Sequence, residues 1–180
     1  NAPMERVYLD HAATTPLDPK VLSEMEPYLT EHYGNASSVH QLGRKARVAL
    51  EEARERVASS IGAESSEIIF TSGGTESDNL ALKGAISAES TEDQPAGLIT
   101  SASEHEAVLQ PAERLKDQGH PVTILNPEQN GAVLPEQVEE AIDDRTALVS
   151  LMHVNNETGV KTDIRAISAI CREHDVLLHC

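Results

Sequence analysis

Residues 68–77 read IIFTSGGTES, and they contain a transition that the chain repeats several times. The first four residues form a short apolar run, which predicts a β-strand. A turn follows at Gly73 and Gly74, and the residues after it open a helix. A strand that passes through a tight turn into a helix is the repeating unit of α/β proteins.

The same alternation continues to residue 180. Further short runs, rich in β-branched residues and apolar on both faces, are separated by segments long enough for crossover helices. These runs are residues 98–100, 122–125, 148–151 and 176–178. The pattern predicts an α/β fold, a three-layer sandwich in which a mainly parallel sheet lies between helices.

The first 65 residues follow a helical pattern instead. We therefore predict an N-terminal helical segment at residues 1–65 and an α/β domain at residues 66–180. Asp18 followed by Pro19 predicts the start of one helix. The segment 38–41, a serine followed three residues later by glutamine, has the form of a capping box and predicts the start of a second helix, which Gly62 ends.

The composition is acidic, with 30 Asp and Glu residues against 14 Lys and Arg residues and a formal net charge of −16. Nucleic acids and anionic lipids select basic surfaces, so neither nucleic acid nor membrane is an expected partner. The two cysteines cannot build a disulfide framework. Cys171 and Cys180 are predicted to be buried thiols, and a cytoplasmic location is expected. The eight histidines show no metal-ligand spacing, so no metal site is predicted.

The glycine turn is the first candidate site. Glycine lets the backbone approach an anion closely, and the following helix offers free N–H groups and the positive end of its dipole. Thr75 adds a hydroxyl donor. No Gly-Lys-Ser/Thr follows at the spacing of a Walker loop. Gly74 and Thr75 are therefore candidate phosphate ligands, and a plain tight turn is the alternative.

Two more polar segments follow predicted strands. The segment 103–106 contains His105, which can stack on a ring or move a proton; an ordinary polar loop is the alternative. Residues 152–159 read MHVNNETG, and the amides of Asn155 and Asn156 can hydrogen-bond a ligand unless they only form a turn. Because ligands of open α/β sheets bind at the carboxyl ends of strands, the three segments predict one crevice.

Taken together, these segments resemble the cysteine desulfurases, within the class V aminotransferase-like group of fold type I enzymes that use pyridoxal 5'-phosphate (PLP). The matching segments are VYLDHAATTP at 7–16, YGNASSVH at 33–40, FTSGGTESDN at 70–79, SEH at 103–105 and HVNNETG at 153–159. They follow one another in the family's order over nearly the whole chain. One difference is Ala36, where the family commonly has proline.

The resemblance implies roles for individual residues. Gly74 and Thr75 would bind the phosphate of PLP. His105 would stack on the pyridine ring and act as a catalytic residue in proton transfer. Asn156 would bind near the phenolic oxygen of the cofactor or the substrate, with Asn155 as the alternative. Residues 66–180 would be the N-terminal, incomplete part of the PLP-binding large domain, and residues 1–65 would include part of the small domain.

The resemblance also implies an activity, the PLP-dependent removal of sulfur from L-cysteine. The products are L-alanine and an enzyme persulfide for iron–sulfur cluster assembly or thiolation. The expected partners are a second copy in a homodimer and a sulfur-acceptor protein such as an iron–sulfur scaffold. The alternatives are a related PLP enzyme, either a selenocysteine lyase or an aminotransferase, and a non-catalytic truncated fragment.

Several residues that the family requires are not found in this sequence. They are an Asp that pairs with the pyridine nitrogen, the Schiff-base Lys, an Arg for the substrate carboxylate and a catalytic loop Cys. Lys83 and Lys161 lie in no matching motif, and neither Cys171 nor Cys180 is expected to accept sulfur. We therefore expect the 180-residue chain alone to be inactive.

Overall fold

The computed structural model describes residues 7–180, and the chain divides into two units at Phe70 and Thr71. The first unit is helical, and the second combines a sheet with helices. The division falls close to the predicted boundary after residue 65. The assignment of the two units to a small and a large domain stays a prediction. Within residues 7–180, no helix is both long and apolar enough to cross a bilayer.

The helical unit begins and ends its helices largely as predicted. Its elements are helix α1 at Pro19–Thr30, helix α2 at Gln41–Ile61 and a 3-10 turn at Ser65–Glu67. Asp18 caps α1, where its carboxylate accepts the Lys20 N–H at 2.7 Å, and Pro19 occupies the first turn. Gly62 ends α2 with a φ of 71°, in the left-handed region that favours glycine.

The start of α2 differs from the prediction. The N-cap is His40, whose Nδ1 accepts the Gly43 N–H at 3.4 Å, so Ser38 does not cap the helix. Ser38 instead belongs to a turn, and its N–H donates to the Asn35 carbonyl at 2.9 Å. The Asn35 side chain organises this turn by accepting the Ser37 N–H at 2.8 Å. The Ser38 N–H that a capping box would use is thus already bonded within this turn.

The second unit contains one sheet of four strands and four helices. The helices are α3 at Gly74–Glu89, α4 at Glu106–Asp117, α5 at Pro135–Ala141 and α6 at Ile164–Glu173. The strands are β1 at Gly97–Ser101, β2 at Val122–Leu125, β3 at Thr146–Ser150 and β4 at Leu177–His179. All neighbouring strands are parallel, in the order β2-β1-β3-β4. The predicted parallel sheet is confirmed.

Both faces of this sheet are covered, which confirms the three-layer sandwich. Leu98 and Leu148 lie in a hydrophobic core with side chains of α3 and α4. Their neighbours Ile99 and Val149 lie in a second core, with side chains of α5 and α6. Successive residues of a strand point to opposite faces, so apolar residues are needed at both of these neighbouring positions in β1 and β3.

The predicted strand at residues 68–71 is absent from the structure. Ile69 and Phe70 are exposed, at 68% and 46%, and no strand among the described residues pairs with this segment. A strand forms only where its backbone groups find a partner strand. Here Arg54 of α2 donates to the Ile68 carbonyl, and its guanidinium carbon lies 5.0 Å from the Phe70 ring centroid. The segment therefore contacts the Arg54 side chain of α2 instead of pairing with a neighbouring strand.

The strand order identifies the edge of the sheet where a ligand is expected. The chain winds from β1 to β2 in one direction and then returns to place β3 on the other side of β1. Open α/β sheets bind ligands at this kind of reversal, outside the carboxyl ends of the strands. The buried polar side chains of residues 7–180 are Thr100, Ser101 and Ser150, and all three lie at the carboxyl ends of β1 and β3.

Candidate functional site

The glycine turn leaves the first N–H groups of α3 without partners. Gly73 is the N-cap residue, and no side chain caps the helix. In the described part of the chain, no group accepts a hydrogen bond from the Gly74 or Thr75 N–H. A Cβ placed on Gly74 would meet no atom within 4 Å, so the space beside the turn is open. Free N–H groups at the positive end of a helix dipole fit a phosphate group.

Glu76 holds the backbone of this turn in place. Its carboxylate accepts the Ser72 N–H at 2.7 Å and the Ser72 hydroxyl at 2.5 Å. These two hydrogen bonds lower the pKa of the Glu76 carboxyl. Thr71 and Ser77 add a hydroxyl–hydroxyl contact of 2.6 Å across the turn. The turn is therefore preorganised by its own side chains, while the N–H groups of Gly74 and Thr75 stay available.

His105 is the N-cap residue of α4. Its Nδ1 accepts the Ala107 N–H at 3.0 Å, while the imidazole ring stays exposed. Since Nδ1 is an acceptor, the neutral ring carries its proton on Nε2. The sequence motif predicts His105 as a site residue but does not reveal its capping role. The signal for that role is its position directly before the apolar pattern of α4.

Thr75 and His105 line the same cavity. This cavity has a volume of about 340 Å³, and it lies between the first turns of α3 and α4. Its other lining residues are Asn79, Glu106, Ala107, Gln110, Pro111 and Arg114. The volume lies within the range of small-molecule sites. The structure thus brings two of the predicted site residues together, whereas Gly74 and Asn156 are not among the lining residues.

The segment after β3 forms a small hairpin around Asn155. An antiparallel bridge joins Val154 to Lys161 at its base. The Asn155 side-chain oxygen accepts three hydrogen bonds, from the Glu157 N–H at 3.0 Å, the Thr158 N–H at 2.9 Å and the Thr158 hydroxyl at 3.1 Å. The Asn155 oxygen is therefore engaged inside its own hairpin.

The neighbouring Asn156 differs from Asn155 in both exposure and bonding. Its side chain is exposed, and no hydrogen bond joins its amide to another group of residues 7–180. Of the two asparagines, Asn156 therefore has the amide that is available to a ligand. This geometry favours Asn156 over the alternative Asn155, and its role in binding stays a prediction.

Glu104 is a residue of the 103–106 segment to which the sequence pattern assigns no role. Its Oε1 accepts the Met152 N–H at 2.7 Å, which joins the loop after β1 to the segment after β3. Burial raises the pKa of the Glu104 carboxyl, the Met152 hydrogen bond opposes this rise in part, and the charge of Asp78 adds to it. Its partner is distant in the sequence, so spacing gives no signal for this contact.

A second polar connection links β3, β4 and α3 at the same edge. The Ser150 hydroxyl lies 2.9 Å from His179 Nδ1, and His179 Nε2 lies 3.7 Å from an oxygen of Asp78. Sequence spacing does not reveal this connection either, because its members come from three separate elements. It places a carboxylate, an imidazole and a hydroxyl beneath the loops of the candidate site.

The two cysteines lie in different environments. Cys171 is buried in α6, and burial raises the pKa of its thiol, which disfavours the reactive thiolate. Cys180 is exposed, so the prediction that it is buried is wrong. It follows the last paired residue of β4, the outer strand of the sheet, where no neighbouring strand among the described residues covers it. Within residues 7–180, no three side chains cluster as metal ligands.

Comparison with known proteins shows the family of this chain and gives named relatives. A family model described as "Aminotransferase class-V" matches residues 7–180. Cysteine desulfurase IscS of Dictyoglomus turgidum (strain DSM 6724 / Z-1310) is 49% identical over 173 residues, which are 96% of this chain and 43% of the relative. Putative cysteine desulfurase IscS 1 of Bacillus subtilis (strain 168) is 47% identical over 176 residues, 98% of this chain and 46% of the relative.

Solved structures agree with the sequence comparison. A structure described as "SspA in complex with cysteine" is 42% identical, with a TM-score of 0.89 over 96% of this chain and 49% of its own. A structure described as "NIFS-LIKE PROTEIN" is 38% identical, with a TM-score of 0.91 over 97% of this chain and 48% of its own. The chain spans less than half of the length of the curated relatives it matches. Since the family model covers nearly every residue, the chain belongs to the class V aminotransferase family.

Proposed function

We propose that the full-length protein containing this chain is a cysteine desulfurase that uses PLP. It takes sulfur from L-cysteine and releases L-alanine, while a cysteine thiolate of the enzyme accepts the sulfur as a persulfide. Relatives at 47–49% identity carry the name cysteine desulfurase, and the similar protein SspA was solved in complex with cysteine. The observation that carries the proposal is the cavity that Thr75 and His105 line together.

The residues at this edge of the sheet fit the parts of PLP. The free N–H groups of Gly74 and Thr75, with the Thr75 hydroxyl, would hold the phosphate. The exposed ring of His105 would stack on the pyridine ring, and the Asn156 amide would bind near the phenolic oxygen. When bound, PLP supplies an electron-withdrawing ring that stabilises negative charge on a substrate carbon.

The capping hydrogen bond sets the tautomer of His105. Nδ1 accepts the Ala107 N–H, so the neutral ring carries its proton on Nε2, and it can take a further proton only at Nδ1, when the cap opens. The same bond limits rotation of the ring, because turning it breaks the cap of α4. His105 therefore presents its Nε2–H donor in one orientation.

The remaining parts of the proposal concern the whole enzyme. We infer a homodimer that passes its persulfide sulfur to an acceptor protein such as an iron–sulfur scaffold. Support comes from the name IscS of the relatives and from the acidic chain, with a net charge of −16, which disfavours nucleic acid as the acceptor. The cytoplasmic location stays a prediction.

The activity is tested with the purified full-length protein, PLP, L-cysteine and a thiol reductant. A desulfurase releases alanine and sulfide in equal amounts. Release of a keto acid without sulfide would show an aminotransferase instead, and turnover of selenocysteine but not cysteine would show a selenocysteine lyase. Either result would overturn the proposed substrate while leaving the family unchanged.

The phosphate site is tested by two substitutions at Gly74. Proline is well tolerated at the first helical position, and the ψ of 178° keeps Gly73 out of the α region that a following proline disfavours. Gly74→Pro therefore keeps α3 but removes one N–H donor, and PLP affinity should fall about tenfold or more. Gly74→Ala keeps the donor, and its Cβ meets no protein atom, so its affinity should exceed that of Gly74→Pro. Fluorescence titration with PLP measures both, and equal affinities would contradict the assignment.

A further inference from the structure

His105 and Asn156 are the two loop residues assigned to the cofactor. Each directly follows a residue whose side chain forms a hydrogen bond with the backbone of the other loop. Glu104 precedes His105, and its carboxylate accepts the Met152 N–H at 2.7 Å. Asn155 precedes Asn156, and its side-chain amide donates to the carbonyl of Ser103 at 2.9 Å. Each loop supplies the side chain of one hydrogen bond and the backbone group of the other. The loop after β1 supplies the Glu104 carboxylate and the Ser103 carbonyl, and the segment after β3 supplies the Asn155 amide and the Met152 N–H.

Both ties cross the reversal point of the sheet. β1 and β3 are neighbours there, although β2 lies between them in the sequence. The tied residues are 48 and 52 positions apart along the chain. Because each bond ends on a backbone group, it fixes the position of the loop itself and not only that of a side chain.

The hairpin around Asn155 transmits this restraint to Asn156. The Asn155 oxygen holds three donors of the hairpin, while its NH₂ group reaches the other loop. Movement of the hairpin relative to the loop after β1 therefore breaks the tie to Ser103. On the other side, the loop that starts α4 cannot shift without straining the bond from Met152 to Glu104.

We propose that Glu104 and Asn155 are positioning residues that clamp the loops after β1 and β3 together and fix His105 relative to Asn156. This inference rests on the proposed function, because it assumes that His105 and Asn156 contact the cofactor. Neither Glu104 nor Asn155 acts on substrate. Their contribution is to present the contact residues at one separation before the cofactor binds.

The clamp is tested in the full-length protein without cofactor by amide hydrogen exchange. Glu104→Ala removes the acceptor of the Met152 N–H, and Asn155→Asp keeps the hairpin oxygen but removes the donor to Ser103. Since a hydrogen bond to a charged group shifts a local equilibrium about tenfold or more, exchange at residues 151–161 should rise by that factor in Glu104→Ala. Asn155→Asp should raise exchange in the same segment.

Glu104→Gln is the matched control, because its side-chain oxygen can still accept the Met152 N–H. It should keep slow exchange, and α6 at Ile164–Glu173 should exchange slowly in every variant if the fold is intact. The second measurement is turnover of cysteine with saturating PLP. Glu104→Ala and Asn155→Asp should lower kcat more than they raise KM, and Glu104→Gln should restore kcat.

The outcomes separate this inference from the proposed function. Unchanged exchange in both Glu104→Ala and Asn155→Asp would overturn the clamp, whatever the enzyme catalyses. Faster exchange with unchanged kcat would overturn the positioning role. If the wild type has no activity on cysteine, the proposed function fails, whereas the exchange data still show whether the two loops are clamped.

Discussion

At the residue scale, the two ring nitrogens of His105 have different tasks. Nδ1 caps α4 by accepting the Ala107 N–H, and Nε2–H stays free to donate to a ligand. A substitution that removes the ring therefore changes the stability of α4 and the reaction together. Asparagine is the side chain that separates these effects, because it is among the best N-cap residues and has no ring.

His105→Ala should lower the free energy of unfolding by about 1 kcal/mol, since the N-terminus of α4 loses its cap. His105→Asn should keep the wild-type melting temperature. Both variants should lose desulfurase turnover, because neither has an imidazole. Thermal denaturation and alanine release measure the two effects on the same samples. Turnover by His105→Asn at the wild-type rate would remove His105 from catalysis.

Glu104 should make stability depend on pH. Burial raises the pKa of its carboxyl above the ordinary value of 4.5, so the folded protein binds a proton that the unfolded chain has released. This contribution to stability is fully present below pH 4.5 and is lost as the pH rises through the raised pKa of the folded state. Glu104→Gln should flatten this decrease in a series of melting temperatures.

The control for this pH series is Glu113→Gln. Glu113 is an exposed glutamate of α4, and the substitution removes the same charge. It should leave the decrease in melting temperature with rising pH in place. An identical pH profile for Glu104→Gln and the wild type would show that the carboxyl of Glu104 does not titrate differently on folding.

At the element scale, the sequence predicts those strands and helix ends whose formation depends on nearby residues, and not those that depend on distant ones. β1 and β3 are predictable because both of their faces enter a core, and Gly62 because a left-handed helix end favours glycine. The segment at 68–71 has a strand's composition but no partner strand among the described residues. Composition gives the tendency to form a strand, whereas pairing depends on distant parts of the chain.

The candidate site likewise contains features with a local sequence signal and features that depend on distant parts of the chain. The turn at Gly74 and the cap at His105 have local signals in the sequence, because each lies beside an apolar run. The Glu104 bond to Met152 is not, because it joins residues 48 positions apart, and neither residue type indicates the other. The chain from Ser150 through His179 to Asp78 likewise depends on how β3, β4 and α3 meet.

Gly43 should tolerate no side chain at the start of α2. A Cβ there would collide with the Ser38 carbonyl and lie 2.7 Å from the Asn35 carbonyl, and these backbone atoms belong to the Asx turn. Gly43→Ala should therefore destabilise the protein by about 1–3 kcal/mol. Gly84→Ala is the control, since Gly84 lies inside α3 with open space around it and should gain about 0.5–1 kcal/mol. Denaturant titration gives both values, and equal signs would contradict the packing argument.

At the scale of the whole molecule, the helical unit buries little of its apolar surface. α1 has no buried residue. Its exposed apolar side chains are Val21, Leu22, Met25, Tyr28 and Leu29. Contiguous apolar surface of this kind marks a face that another part of a protein covers. Among the described residues of the helical unit, 7–70, no element buries a residue of α1.

A polypeptide limited to residues 1–180 should therefore bind the dye ANS strongly and associate at micromolar concentration. The full-length polypeptide proposed above, in which other residues can cover α1, should bind ANS weakly at the same concentration. Fluorescence titration and light scattering compare the two. Weak dye binding by a monomeric 180-residue polypeptide would show that the apolar face of α1 is covered within that chain.

The order of the strands also bears on how the protein is made. The ribosome completes β1 before the other three strands, and β1 lies inside the sheet. β2 then pairs with one free side of β1, β3 with the other, and β4 with the free side of β3. Among the described strands, none has to enter between two that are already paired. The sheet can thus grow stepwise during synthesis, and the loops that carry His105 and Asn156 can come together once β3 and the segment that follows it have left the ribosome.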